Sequence, residues 1–208
     1  MLRQLESLGT IPVTSSVLGS YFPNIESKNN KISELEKVGV CIRLKKGLFV
    51  LSPEVSRQPL STELIANHLY APSYISMHSA LRYYGLIPEQ VFTIQSMTIK
   101  HSRAFENTIG RFEYLHTSRE AYPVGITNVA TAQYSFLIAT PEKALCDLVA
   151  TTPMLNLRYR QETKDYLFEN LRLDEDDFYQ MRPEIFKEYA AVGKKAGSIN
   201  TIIQLLEQ

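Results

Sequence analysis

The feature that most constrains this chain is residues 40–51, Val-Cys-Ile-Arg-Leu-Lys-Lys-Gly-Leu-Phe-Val-Leu, two β-prone runs around Lys45, Lys46 and Gly47. A glycine in a short polar break between such runs predicts a hairpin, because a tight turn needs backbone angles that glycine adopts without steric cost. What precedes the hairpin is helical. Leu2, Leu5 and Leu8 at spacing three predict a short amphipathic helix ended by Gly9. Thr14 and Ser15 are expected to cap a second helix over 16–21, which Pro23 prevents from continuing. Ser27 is expected to cap a third over 27–38, with Ile32, Leu35 and Val38 as one apolar stripe, before Gly39 ends it.

Three short helices followed by a hairpin is the order of a winged helix-turn-helix, in which the third helix enters the major groove and the hairpin reaches along the backbone. The charge agrees. The chain carries 22 Lys plus Arg and 22 Asp plus Glu, so its net charge is zero and no overall basic character announces a nucleic-acid partner. Residues 27–57, however, hold seven basic residues against three acidic ones, a local balance of +4. Lys28, Asn29, Asn30 and Lys31 stand at the start of the third helix, where phosphate gains from the helix dipole and amides suit adenine edges. Asn29 and Asn30 are the candidates for reading bases. Glu34 and Glu36 argue the other way, since a carboxylate facing phosphate repels it, and a solvated structural helix would carry the same residues.

Other classes are excluded by composition. At 44% hydrophobic and 21% charged, 208 residues make an ordinary globular chain of one or two domains rather than a disordered one. Its longest apolar runs are a few residues, far short of the ~20 a membrane helix needs. The first nine residues show no signal-peptide core, so a cytoplasmic protein without a membrane partner is expected. Cys41 and Cys146 stand apart from each other and from any histidine at metal spacing, which predicts two small buried hydrophobes, no metal and no disulfide framework.

Three segments resemble a known family. The stretch 32–51, a helix closing on Glu-Lys-Val-Gly before the hairpin, is similar to the N-terminal winged helix of the AbiEi-type antitoxins and related transcriptional regulators of type IV toxin-antitoxin (abortive infection) systems. Residues 74–88, Tyr-Ile-Ser-Met-His-Ser-Ala-Leu-Arg-Tyr-Tyr-Gly-Leu-Ile-Pro, look like that family's signature between its two domains, and 139–149, Ala-Thr-Pro-Glu-Lys-Ala-Leu-Cys-Asp-Leu-Val, resembles its Thr-Pro-Glu-Lys-Ala helix start. The likeness spans about the first three quarters of the chain and ends near Leu155. It implies a two-domain bacterial protein that represses its own operon through the winged helix and opposes a co-encoded nucleotidyltransferase-like toxin through its C-terminal domain, with no direct contact to the toxin implied. By the same resemblance the DNA-contacting features fall on Lys28, Asn29, Asn30 and Lys31 and, in the wing, on Arg43, Lys45 and Lys46, and no catalytic residue carries over.

After a linker over 57–59, the rest reads as a mixed α/β domain. Ser61 is expected to cap a helix over 62–70 closed by Pro72, and Ser76 one over 77–84 ended by Gly85. Alternation predicts strands around Val91, Phe92, Ile94, Met97 and Ile99, over 111–117 and over 134–139, in a mixed sheet packed on helices. Lys100, His101 and Arg103 form a small basic loop, expected to be simply exposed, with contact to RNA or DNA as the alternative. Thr140, Pro141 and Glu142 start a helix in which Asp147 is expected to be a capping or salt-bridge partner. The acids 174–177 are expected to open another helix rather than mimic nucleic-acid charge, and Ile199, Ile202, Ile203, Leu205 and Leu206 predict a closing one.

The four histidines form no metalloprotease pair, and no P-loop, dinucleotide fingerprint or glycine elbow appears, so neither an enzyme nor a cofactor is expected. The expected protein is α+β: a winged helix-turn-helix at 1–57 that binds double-stranded DNA of its own promoter, then an α/β antitoxin-like effector domain at 58–208. The alternative is a protein- or RNA-binding module whose winged helix does not bind DNA.

Overall fold

The computed structural model describes residues 2–88 and 92–207 and shows a mixed α+β chain. Helix α1 (Leu2–Glu6) is followed by β1 (Val13–Thr14), α2 (Ser15–Ser20) and α3 (Lys28–Lys37), then by the hairpin of β2 (Cys41–Lys45) and β3 (Leu48–Leu51), with Gly47 at φ +79° in its turn. Strand β1, which the sequence did not signal, pairs with β3 and makes a three-stranded sheet. Thr14 caps α2 through a bond accepted from the Val17 amide. Ser27 makes no side-chain cap on α3. Val38 does not join Ile32 and Leu35 in the buried stripe but is 66% exposed, because it is the C-cap residue and the chain turns away at Gly39, φ +73°.

The short helix α4 (Pro53–Ser56) leads to α5 (Thr62–Leu69), capped as expected by Ser61, whose hydroxyl accepts from the Leu64 amide. A six-stranded sheet follows in the order β6-β7-β5-β4-β9-β8, from β4 (Ser73–Ile75), β5 (Thr93–Thr98), β6 (Arg103–Asn107), β7 (Gly110–His116), β8 (Ile126–Ala130) and β9 (Ser135–Ala139). The β4–β9 and β5–β7 pairs are parallel and the others antiparallel, so the sheet is mixed. Strands β4, β6 and β8 gave no readable alternation; Val91, expected in a strand, lies outside the described residues. Helices α6 (Met77–Tyr83) and α7 (Pro141–Thr151) pack on the sheet and on each other, and α10 (Pro183–Val192) and α11 (Ala196–Leu206) close the fold as a packed pair. Between them run α8 (Arg160–Lys164), a π-helical turn over Asp165–Asn170, and α9 (Glu175–Tyr179), where Asp174 accepts from the amides of Asp176 and Asp177 as the acidic run predicts. No helix among the described residues is long and apolar enough to cross a membrane.

Two segments distant in sequence meet in the core. Asp147 on α7 is wholly buried, and its Oδ2 accepts from Tyr74 Oη at 2.9 Å and from Ser76 Oγ at 2.8 Å. Lys143, one turn earlier and equally buried, holds the other carboxylate oxygen at 3.1 Å, donates to the Ala121 carbonyl at 2.7 Å and sits 4.3 Å from the Tyr189 ring centroid. Ser76, expected to cap α6, is therefore spent on Asp147, which acts as the salt-bridge partner its place on α7 suggests. Gly125, at φ +60°, makes this packing possible: a Cβ there would stand 2.7 Å from Lys143 Cβ.

A buried charge left without its partner is far costlier than the intact pair is stabilising. Lys143→Met is expected to lower unfolding stability by roughly 3–5 kcal/mol in urea denaturation, and Lys143→Met with Asp147→Leu to recover most of that loss. A single variant as stable as the parent would show that the pair is not held as described.

Candidate nucleic-acid interface

The first turn of α3 carries Lys28, Asn29 and Asn30 on its exposed face. It stands clear because Ile32 and Leu35 pack inward with Leu5, Leu18, Phe22, Cys41, Phe49 and Leu51, a small core of helix and hairpin residues that fixes the outward face by helical periodicity. Gly19 on α2 lets the helices approach, since a Cβ at that position would sit 3.3 Å from Lys28 Cδ, so the Lys28 stem lies against α2.

Between α3 and the hairpin turn lies an open groove of about 340 Å³, lined by Asn29, Ile32 and Ser33 of α3, by Arg43, Lys46, Gly47 and Phe49 of the hairpin and by Ser15. Three of the seven residues singled out in the sequence, Asn29, Arg43 and Lys46, thus share one concave surface. Lys28, Asn30 and Lys31 belong to the same helix start but do not line the groove. Ser15, Ser33 and Phe49 line it without having been singled out, because a hydroxyl or a ring in a hairpin carries no signal until its neighbours are known.

Two of the cations are already neutralised. Lys31 Nζ is 2.9 Å from Glu34 Oε2 one turn along α3. Arg43 grips Glu36 with Nε at 2.9 Å from Oε1 and Nη2 at 2.5 Å from Oε2, while its guanidinium rests 4.9 Å from the Phe49 ring centroid. The hydrogen bonds from Arg43 hold the Glu36 carboxyl below its usual range, and the same contact raises the Arg43 pKa. The acids that oppose phosphate binding therefore act by occupying basic side chains as well as by repulsion.

Lys45 goes elsewhere. Strict alternation would put it on the face of Arg43, but a bulge between Arg43 and Lys45 shifts the register, so Arg43 faces Phe49 and Lys45 faces Leu48. Lys45 Nζ consequently donates to the Leu69 carbonyl at the end of α5, at 2.5 Å, and sits 5.8 Å from the Phe105 ring centroid on β6. Burial lowers its pKa, assisted by the nearby charges of Lys100 and Arg103. It points away from the groove of Asn29 and Lys46.

A second hollow, about 360 Å³, opens between the ends of β5 and β7 and the α10–α11 connection. Its polar groups are engaged locally: His116 Nδ1 meets the Lys100 carbonyl at 3.0 Å, Ser102 Oγ accepts from the His116 amide, Ser118 Oγ accepts from the Ala121 amide, and Thr151 Oγ1 donates to the Asp147 carbonyl. No group of three His, Cys, Asp or Glu residues placed to hold a metal occurs among the described residues. Both cysteines are buried. Burial pushes the Cys41 thiol up to about 11 and the Cys146 thiol well above its ordinary value.

Thiolate is the reactive form, so both cysteines are expected to resist a disulfide-exchange reagent at neutral pH in the native protein and to react fully in denaturant. Rapid labelling of the folded chain would contradict their burial. No protein-family model matches the chain and no curated protein matches its sequence, so a functional reading rests on these residues and their geometry.

Proposed function

We propose that the α1–β3 unit is a winged helix-turn-helix that binds double-stranded DNA, and that the protein is a cytoplasmic transcriptional regulator acting on its own promoter. The observation that carries this is the groove in which Asn29 on α3 faces Arg43 and Lys46 on the hairpin, beside the exposed Lys28 and Asn30. A major groove about 12 Å wide admits one helix, and a helix start bearing amides then meets base edges while flanking cations meet phosphates. Among the described residues Lys28 and Lys46 form no ion pair, whereas Arg43 must exchange Glu36 for phosphate. The resemblance of 32–51, 74–88 and 139–149 to the AbiEi-type antitoxins supports the same role, and by it residues 58–208 would oppose a nucleotidyltransferase-like toxin without direct contact.

The ion pairs Lys31–Glu34 and Arg43–Glu36 favour one other reading, a protein- or RNA-binding module, because they lower the charge that phosphate would meet. Fluorescence anisotropy of the full chain with upstream and scrambled duplexes at several salt concentrations separates the two. DNA binding predicts preference for the upstream duplex and affinity falling with salt, with a slope of about −0.9 per phosphate contact. Lys28→Gln and Lys46→Gln are each expected to flatten that slope by about 0.9, and Asn29→Ala to relax sequence preference. Absence of duplex binding by folded protein would remove the proposal.

Glu36→Gln gives the opposite sign. It frees Arg43 without changing the shape of residue 36, so duplex affinity is expected to rise several-fold and the slope to steepen by about 0.9. Unchanged affinity would mean that Arg43 makes no phosphate contact.

A further inference from the structure

The seam between the hairpin and the six-stranded sheet concentrates positive charge. Lys45 reaches across it to the Leu69 carbonyl; Lys100, after β5, donates to the Ala71 carbonyl at 2.5 Å with its ammonium 5.2 Å from the Tyr70 ring centroid; Arg103, opening β6, lies 4.8 Å from the Phe105 ring centroid. Tyr70 and Phe105 themselves meet at 5.6 Å, so the three cations share one aromatic platform. Lys100 and Arg103 are exposed, and among the described residues none of the three forms an ion pair with a carboxylate, although Glu106 and Glu113 lie on the same strand pair. The cations are close enough for Lys100 and Arg103 to depress the Lys45 pKa, with burial the larger cause. Like charges gathered at the surface without a counter-charge repel one another, and an external anion relieves that repulsion.

We propose that Lys45, Lys100 and Arg103 form a phosphate-binding ridge through which the second domain contacts the duplex backbone beyond the α3 groove. The inference deepens the DNA-binding reading and rests on it. Consecutive residues join the two surfaces: Lys46 lines the groove while Lys45, turned over by the bulge, belongs to the ridge, so the ridge begins one residue from the groove at the hairpin turn. The cations over Tyr70 and Phe105 favour a duplex over a single strand. A single strand is held largely by bases stacking on open aromatic faces, and here those faces are taken by Lys100, Lys45 and Arg103. What the ridge offers outward is charge, which is what duplex phosphates require. The basic loop of Lys100, His101 and Arg103 is thereby given a task that its sequence left open.

The test is the salt dependence of duplex binding by the full chain carrying Lys100→Gln and Arg103→Gln. The slope is expected to be shallower by about 1.8 and the affinity at ~0.1 M salt lower by about tenfold or more on upstream and scrambled duplexes alike, because phosphates carry no sequence. The charge-conserving pair Lys100→Arg with Arg103→Lys is expected to keep the parental slope. Arg103→Gln alone, which loses one stack on Phe105 and no hydrogen bond to the backbone, is expected to change the slope by about 0.9 and guards against a double variant that fails to fold. A folded variant with the parental slope would overturn the ridge while leaving DNA binding through α3 intact. Loss confined to a single-stranded RNA probe would overturn it in favour of RNA, and a parent chain that binds no duplex would overturn both.

Discussion

Strand β3 is buried on both faces, and the rest of the molecule is arranged by that fact. Phe49 and Leu51 turn towards α2 and α3, while Leu48 and Val50 turn towards Ile65, Ala66 and Leu69 of α5. A two-stranded hairpin is barely stable alone in water because one of its faces stays wet. Here the hairpin is the middle layer between the N-terminal helices and the larger core, and burial of both faces supplies what its own hydrogen bonds cannot. The Asn107 side chain adds a bond to the Leu44 carbonyl across the same seam. The turn that carries Lys45 and Lys46 is thus held from both sides, which is the condition for presenting charges in a defined geometry.

The six-stranded sheet and its helices have a fixed point of their own. Lys143 and Asp147 are placed four apart on α7 so that their charges meet, and Tyr74 and Ser76 from β4 and its exit supply the bonds that a buried carboxylate needs. That contact ties α7 to β4. Glu142 at the start of the same helix accepts from the Arg182 amide and guanidinium, which brings in the start of α10. Segments 74–88 and 139–149 are therefore the two halves of one packed contact. Their composition answers to the core.

Charge is distributed on a different principle at the N-terminal surface. Glu34 and Glu36 oppose phosphate, yet both lie within reach of a cation and act as its partner in the absence of one. An exposed ion pair is worth little, a median of about 0–1 kcal/mol, so a phosphate can displace it.

Local rules in the sequence determined most of the elements. Helices α2, α5, α7 and α9 follow from a capping hydroxyl or acid, α1, α3 and α11 from apolar spacing, α6 from its glycine stop, and the hairpin from its glycine turn. Short edge strands β1, β6 and β8 were not legible, because two to five residues show no period and their pairing is decided by partners far along the chain. Sequence also singled out Asn29, Arg43 and Lys46 by residue type. Only tertiary structure decided that they share a groove, that Glu36 holds Arg43, and that one bulged residue sends Lys45 to the opposite face, where Lys100 and Arg103 stand. Local propensity acts over a few residues, whereas register and the choice between two buried faces depend on what the hairpin packs against.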